Sequence, residues 1–209
     1  MDRREANHVP LTPLSFLPRV ADIYPTRTAV IYGQLRYSWA EVYERAVRLA
    51  SALVKAGVKQ GEVVTVMAPN LPAMFEAHFG VAMAGAVLNT LNTRLDVSTI
   101  AYILDHADTK ILITDTAFST TMREAMEQSP NKFITVIDIV DEQDADSAAG
   151  QRLGDIDYER FIAGGCSSSG DRNFERRGLS RRLTRRLGHG GLYRIAQDLH
   201  RHDSGHHRA

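Results

Sequence analysis

The chain has 209 residues, an apolar fraction of 44% and no formal net charge. That length holds one domain, or one domain with a tail, and the apolar fraction suffices for a real core. Neutrality argues against a polyanionic partner for the chain as a whole, and a lone cysteine, Cys166, excludes an internal disulfide. No apolar run is long enough for a helix to span a bilayer.

At the start, Pro10, Pro13 and Pro18 interrupt the apolar patch after the first basic residues. No small-residue cleavage site follows, so a signal peptide is not expected. Residues 29–32, "AVIY", form a short apolar strand, and Gly33 turns the chain toward "LRYSW". Ser38 and Glu41 then have the Ser-x-x-Glu spacing of a capping box. Val42, Ala46, Leu49 and Leu53 follow at spacings of three and four, one apolar helix face that Gly57 ends.

"EVVTVMAPN" (62–70) is a strand that closes on a Pro-Asn turn, with Asn70 expected to cap the next helix and Pro72 in its first turn. That helix, 71–84, is apolar almost all round, so most of its sides should be buried. A strand is expected at 85–92, a helix at 97–107, a strand at 110–115, a helix at 118–128 and a strand at 132–139. Strands alternating with helices imply a parallel sheet covered by helices, an α/β fold. Residues 140–150, "VDEQDADSAAG", are expected to be a solvated acidic loop, and 157–165 a short helix with a glycine stop.

Few motifs carry chemistry. Gly80 and Gly85 have Walker-like spacing, but Ala86 and Val87 stand where a phosphate loop needs Lys and Ser/Thr, so a packing turn is expected. No G-x-G-x-x-G opens a helix, against a dinucleotide fold. Glu76 and His78 share a helix, but at a spacing of two they point apart. Asp105, His106 and Asp108 are expected to close a helix. Arg94 is the candidate binding residue. It follows a strand and precedes a helix, on the edge where open α/β sheets bind ligands, and it would hold a phosphate or form a structural ion pair.

After Gly165 the pattern stops. From Cys166 onward ten arginines face four acids, a net of +6, while the first 165 residues carry −6. Leu179, Leu183 and Leu187 lie four apart among arginines, and the composition predicts disorder. His200, His202, His206 and His207 with Cys166 are residue types that bind zinc or nickel, yet a folded metal site needs fixed ligand spacing and supporting groups that this segment lacks. No resident metal is therefore expected. The arginines would bind nucleic acid only non-specifically, with Phe174 and Tyr193 the sole aromatics available for stacking.

Residues 9–165 are familiar as a set. "LTPLSFL", "PTRTAVIYG", "RYSWAEVYERAVRLASAL", the long run from "VMAPNLPAMFEAHFGVAMAGAVLNTLNTRL" to "ILITD", and "YERFIAGG" together resemble the adenylate-forming, AMP-binding acyl-CoA synthetases, short- and medium-chain fatty acyl-CoA ligase branch. Ala82 stands where that pattern has proline. The resemblance implies the first part of the family's large N-terminal domain over residues 1–165, followed by a separate basic tail, 166–209. It implies AMP-forming ligation of a carboxylic acid to coenzyme A, with ATP and Mg²⁺, and it makes the phosphate of coenzyme A the natural ligand for Arg94. A cytoplasmic setting is expected, because a single thiol suits a reducing cytosol.

The family's phosphate loop, a Thr/Ser/Gly-rich stretch ending in Pro-Lys-Gly, is due soon after "YERFIAGG", and its catalytic lysine lies further on. Neither is among these 209 residues, so no catalytic residue transfers by position and the chain alone is expected to bind none of these cofactors. Such a chain is expected to be inactive, with a non-enzymatic role of binding a partner or an intact homologue as the alternative. The Arg/Gly/His/Ser bias of the tail suits a GC-rich coding region read out of frame. Shifted by one nucleotide, the codons for Gly205 to Arg208 permit Gly-Thr-Thr-Gly, which places the expected frame change shortly after Gly165.

Overall fold

The computed structural model describes residues 13–166. Expectations for the arginine- and histidine-rich tail, its frame, metals and nucleic acid therefore lie outside the described residues, Cys166 excepted.

Helix α1 spans Pro13–Ile23 and buries Leu14, Leu17 and Ala21. The sequence reading missed it because it weighed the prolines as breakers. Pro13 occupies the first helical position, where no N–H is needed, although Pro18 lies inside the helix. Strands β1 (Thr28–Tyr32) and β2 (Leu35–Ser38) form a separate antiparallel hairpin, pairing Ile31 with Arg36 and Tyr32 with Leu35. Gly33 turns it at φ +52°, a left-handed conformation that suits a residue without Cβ.

Helix α2 (Trp39–Lys55) starts on the expected capping box. Ser38 N–H donates to Glu41 Oε2 at 2.7 Å, and Glu41 N–H donates to Ser38 Oγ at 3.3 Å. The Ser38 backbone N–H, then its hydroxyl, hold the Glu41 carboxyl below its ordinary value. The box therefore stabilises the helix at neutral pH, and that contribution is lost as pH falls through the lowered value. Ser38→Ala is expected to cost about 1 kcal/mol in a denaturant titration. A loss indistinguishable from zero would show that packing alone starts this helix. At the other end Gly57, at φ +88°, provides the stop.

The main sheet is five-stranded and wholly parallel, in the order β4-β3-β5-β6-β7. Its strands are β3 (Val63–Met67), β4 (Val87–Thr90), β5 (Thr109–Asp115), β6 (Thr135–Ile139) and the two-residue β7 (Ile156–Asp157). Helices α3 (Pro72–Met83), α4 (Val97–His106), α5 (Ser119–Gln128), α6 (Ala145–Ala149) and α7 (Tyr158–Ala163) complete the order, with a 3-10 turn at Thr116–Phe118.

Alternation along the strands divides the core in two. Val64, Val66, Ile111, Ile113 and Ile137 face helices α2, α3 and α7. Met67, Leu112 and Val136 face α4 and α5. Two faces, each covered by helices, are what buried parallel strands require. As expected, α3 is buried on most sides, with Ala73, Met74, Glu76, Ala77, Gly80, Val81 and Met83 all inaccessible. Among the described residues no helix is long and apolar enough to cross a membrane.

Two expectations need correction. Asn70 does not cap α3: the cap position is Leu71, no side chain caps it, and Pro72 starts the helix. The acidic stretch 140–150 is not a solvated loop throughout, because it contains α6 and buries Asp141 and Ser147. Acid count alone could not reveal that β6 delivers this segment against the turn after β5, where Thr116 Oγ1 donates to Ser147 O at 2.7 Å.

Candidate functional site at the carboxyl edge of the sheet

From β3 the chain moves to one side, into β4, and from β5 it moves to the other, into β6. Helix α3 leaves β3 over one face while α5 leaves β5 over the opposite face. The loops therefore diverge between β3 and β5, and in open α/β sheets this switch point at the carboxyl ends is where ligands bind.

Arg94 lies on that edge, in the loop between β4 and α4, and is exposed. Its backbone N–H donates to Asn92 Oδ1 at 2.9 Å, which shapes the loop. Its side chain enters no ion pair with a described residue. The structural ion-pair reading of Arg94 thus finds no partner among the described residues. Asp96, two residues on, caps α4 by accepting from Thr99 N–H at 3.0 Å.

A second set of polar groups gathers where β5 and β6 end, and the sequence reading did not single it out. Asp115 ends β5 and is 1% exposed. Its Oδ1 accepts from the Ala117 N–H at 2.9 Å, while its Oδ2 is buried with no hydrogen-bond partner. Burial is the main cause that pushes this carboxyl up; the nearby Ser147 hydroxyl and the Ala117 N–H oppose it, and the charges of Asp141 and Asp144 add to it. Tyr32, from the hairpin, donates its hydroxyl to Asp141 Oδ2 in a short hydrogen bond. The only sequence signal for this corner was an aspartate at the carboxyl end of an apolar strand.

The remaining candidates prove structural. Glu76 and His78 point apart, as their spacing required. Glu76 is 1% exposed and accepts from Arg45 Nε at 2.5 Å and from the Tyr158 hydroxyl at 2.8 Å. His78 is exposed, with Nδ1 donating to the Met74 carbonyl at 2.7 Å. Burial raises the Glu76 carboxyl against the opposing pull of Arg45 and Tyr158. Arg45 also reaches Glu159, which joins α2, α3 and α7 through one guanidinium. His106 stacks on Tyr102 and Asp108 pairs with Lys110 at 2.9 Å, so the end of α4 is closed by its own neighbours. Gly80 lies within α3 against α2, and Gly85 makes the turn after α3 at φ +79°. Among the described residues no three His, Cys, Asp or Glu side chains are placed to hold a metal ion.

Sheet order, two covered faces and the divergent loops define an open, doubly wound α/β domain. The chain belongs to the AMP-binding enzyme family, whose model matches residues 17–160. It is 44% identical over 167 residues to a peroxisomal butyrate–CoA ligase of Arabidopsis thaliana. It is 46% identical over 165 residues to a peroxisomal benzoate–CoA ligase of the same plant. Each alignment covers 77% of this chain and 28% of the relative, so the chain spans less than a third of their length. A solved benzoate CoA ligase from Burkholderia xenovorans superposes with a TM-score of 0.62 at 25% identity, over 75% of this chain and 29% of that one.

The peroxisomal relatives overturn the expectation of a cytoplasmic protein. A single cysteine excludes an internal disulfide, but it does not distinguish one reducing compartment from another.

Proposed function

We propose that residues 1–165 are the first part of the large N-terminal domain of an acid–thiol ligase, which joins a short- or medium-chain carboxylic acid to coenzyme A through an acyl-adenylate. The identity of 44% and 46% to two CoA ligases, sustained over more than 160 residues, carries this reading. In the intact enzyme the acid's carboxylate oxygen would bond to the α-phosphorus of ATP as pyrophosphate leaves. The thiolate of coenzyme A would then bond to the acyl carbon as AMP leaves.

The described residues do not fit MgATP by themselves. They include no metal-holding cluster, and the turn after α3 has Ala86 and Val87 where a phosphate loop needs Lys and Ser/Thr. No step is therefore assigned to them, and their part is to build the sheet and its carboxyl edge. Arg94 would meet a phosphate of coenzyme A, a role supported by its exposure on that edge and its freedom from ion pairs with described residues.

Without groups to grip the ATP phosphates or to stabilise the developing charge, the 209 residues alone are inactive under this reading. Incubation of the pure chain with MgATP, butyrate or benzoate, and coenzyme A is expected to release no AMP. Stoichiometric AMP release would overturn the claim. A stoichiometric protein partner recovered by pull-down would instead favour the interaction role, which the exposed Ile31 and Phe133 support. The proposed boundary after Gly165 is tested by resequencing from the codon of Tyr158 onward. A single inserted or missing base that restores a Thr/Gly-rich loop and a downstream lysine would support it, and an intact frame without them would sink it.

A further inference from the structure

The β1–β2 hairpin pairs with no strand of the main sheet. Its links to the carboxyl edge include the Tyr32 hydroxyl on Asp141, the Gln34 N–H on Gln143 Oε1 at 3.2 Å, and Gln143 Nε2 on the Tyr32 carbonyl at 3.4 Å. Gln143 crosses directly over Gly33, where a Cβ would lie 1.6 Å from its Oε1. In turn, Asp141 positions Gln143, accepting its N–H on Oδ1 at 3.0 Å. Asp141 therefore governs both fastenings.

Behind Asp141 lies Asp115, whose buried Oδ2 has no hydrogen-bond partner. The Ser147 hydroxyl lies close enough to oppose the rise of the Asp115 carboxyl, while its Oγ also accepts from the Asp141 N–H at 2.8 Å and shares a bond with Thr116 Oγ1 at 3.0 Å. The charged and titratable groups that act on Asp115 and Tyr32 include Asp141 and Asp144 from the β6–α6 segment, none of them basic, while the Ser147 hydroxyl and the Ala117 N–H act on Asp115 as hydrogen-bond donors. No ion pair among the described residues neutralises any of these carboxylates. Three acids thus converge on one corner, Asp115 and Asp141 buried and Asp144 partly exposed, with one short hydrogen bond to lose.

We propose that Asp115, Asp141 and Tyr32 form a proton-operated clasp, which fastens the hairpin to the sheet while the corner holds a proton on Asp115 and loosens when that proton leaves. Tyr32 remains a donor throughout, because its hydroxyl is pushed up to about 12, chiefly by its hydrogen bond to Asp141. The change must therefore come from the carboxyls. Ionised Asp115 adds a third negative charge where little water screens it. Asp141, at 9% exposed against 1% for Asp115, relieves the repulsion by turning outward, and it releases Tyr32 and Gln143 as it goes.

The sign follows from linkage. Folded Asp115 keeps its proton to higher pH than the unfolded chain does, since burial raises it above the ordinary 3.8. The clasped form is favoured at low pH and loses that advantage as pH climbs through the raised value.

Hydrogen exchange of the 209-residue chain from pH 4 to pH 8, corrected for intrinsic rates, tests the clasp. Protection of peptides covering 28–38 is expected to fall with rising pH, by at most about tenfold per pH unit for one linked proton. Peptides covering β5 should hold their protection. Asp115→Asn should keep the hairpin protected at every pH, whereas Tyr32→Phe should leave it weakly protected at every pH. A flat hairpin profile in the wild type overturns the proposal, as does a wild-type slope surviving in Asp115→Asn. Should Asp115→Asn fail to fold, a wild-type slope in Tyr32→Phe overturns it and loss of that slope upholds it.

Discussion

Arg45→Met is expected to cost about 3–5 kcal/mol of unfolding free energy, the range for removing one partner of a buried ion pair. Glu76 is 1% exposed and, among the described residues, has Arg45 as its only cation, with the Tyr158 hydroxyl as its other partner. Truncating the guanidinium leaves a carboxylate that burial already disfavours, so the chain must either take up a proton or open α3 to water. The second anion of Arg45 does not carry this cost. Glu159 is 66% exposed, and Glu159→Gln should change stability by no more than about 1 kcal/mol. Denaturant titrations of the two variants decide the matter. Equal costs would place the energy in the exposed pair and not in buried Glu76.

Gly80→Ala is expected to destabilise, against the usual sign for a glycine in mid-helix. Helix propensity alone would make the change favourable by about 0.5–1 kcal/mol. A Cβ at Gly80, however, would lie 2.9 Å from the Ala46 carbonyl oxygen and 2.7 Å from Leu49 Cδ2. Leu49 can move, but the α2 backbone carbonyl cannot move without shifting the helix. Overpacking of this kind costs about 1–3 kcal/mol, so the clash outweighs the propensity gain. Gly80→Leu should prevent α2 and α3 from packing as they do. A rise in melting temperature for Gly80→Ala would show that the helices separate more easily than their contact implies.

Much of the sheet was legible from sequence because its strands are buried on both faces and bounded by turns. "KILITD" and "VVTVM" permit little but strand, and the Ser38–Glu41 box announces its helix by spacing alone. Helix α1 was missed because proline has two meanings, and only the site of Pro13 at a helix start decides between them. Strand β7 was missed because two residues carry no period; β6 makes Ile156 and Asp157 a strand by pairing with them. For the site the balance is reversed. Arg94 was singled out as a candidate by its place in a strand–loop–helix series, and position 94 does lie between β4 and α4. Asp115 and Asp141 were not, since they lie 26 positions apart in sequence and acquire their role only through the pairing of β5 with β6.

Helix α7 returns to α2. Arg45 reaches Glu159, Lys55 Nζ donates to the Gly164 carbonyl at 2.8 Å, and the Cys166 N–H donates to Ser51 Oγ at 3.0 Å. Gly165 lies so near Arg48 O that a Cβ would come within 2.1 Å. The hydrogen-bonded partners are 109 to 115 residues apart. At a synthesis rate of about 5–20 residues per second, α2 leaves the ribosome roughly 5–20 s before the segment that completes its surroundings. During that interval Glu76 has Arg45 but no Tyr158, and the apolar face that receives Ile162 is open to water. The nascent chain is thus exposed to chaperones and proteases until α7 arrives, and the speed of translation becomes a determinant of how much of it survives.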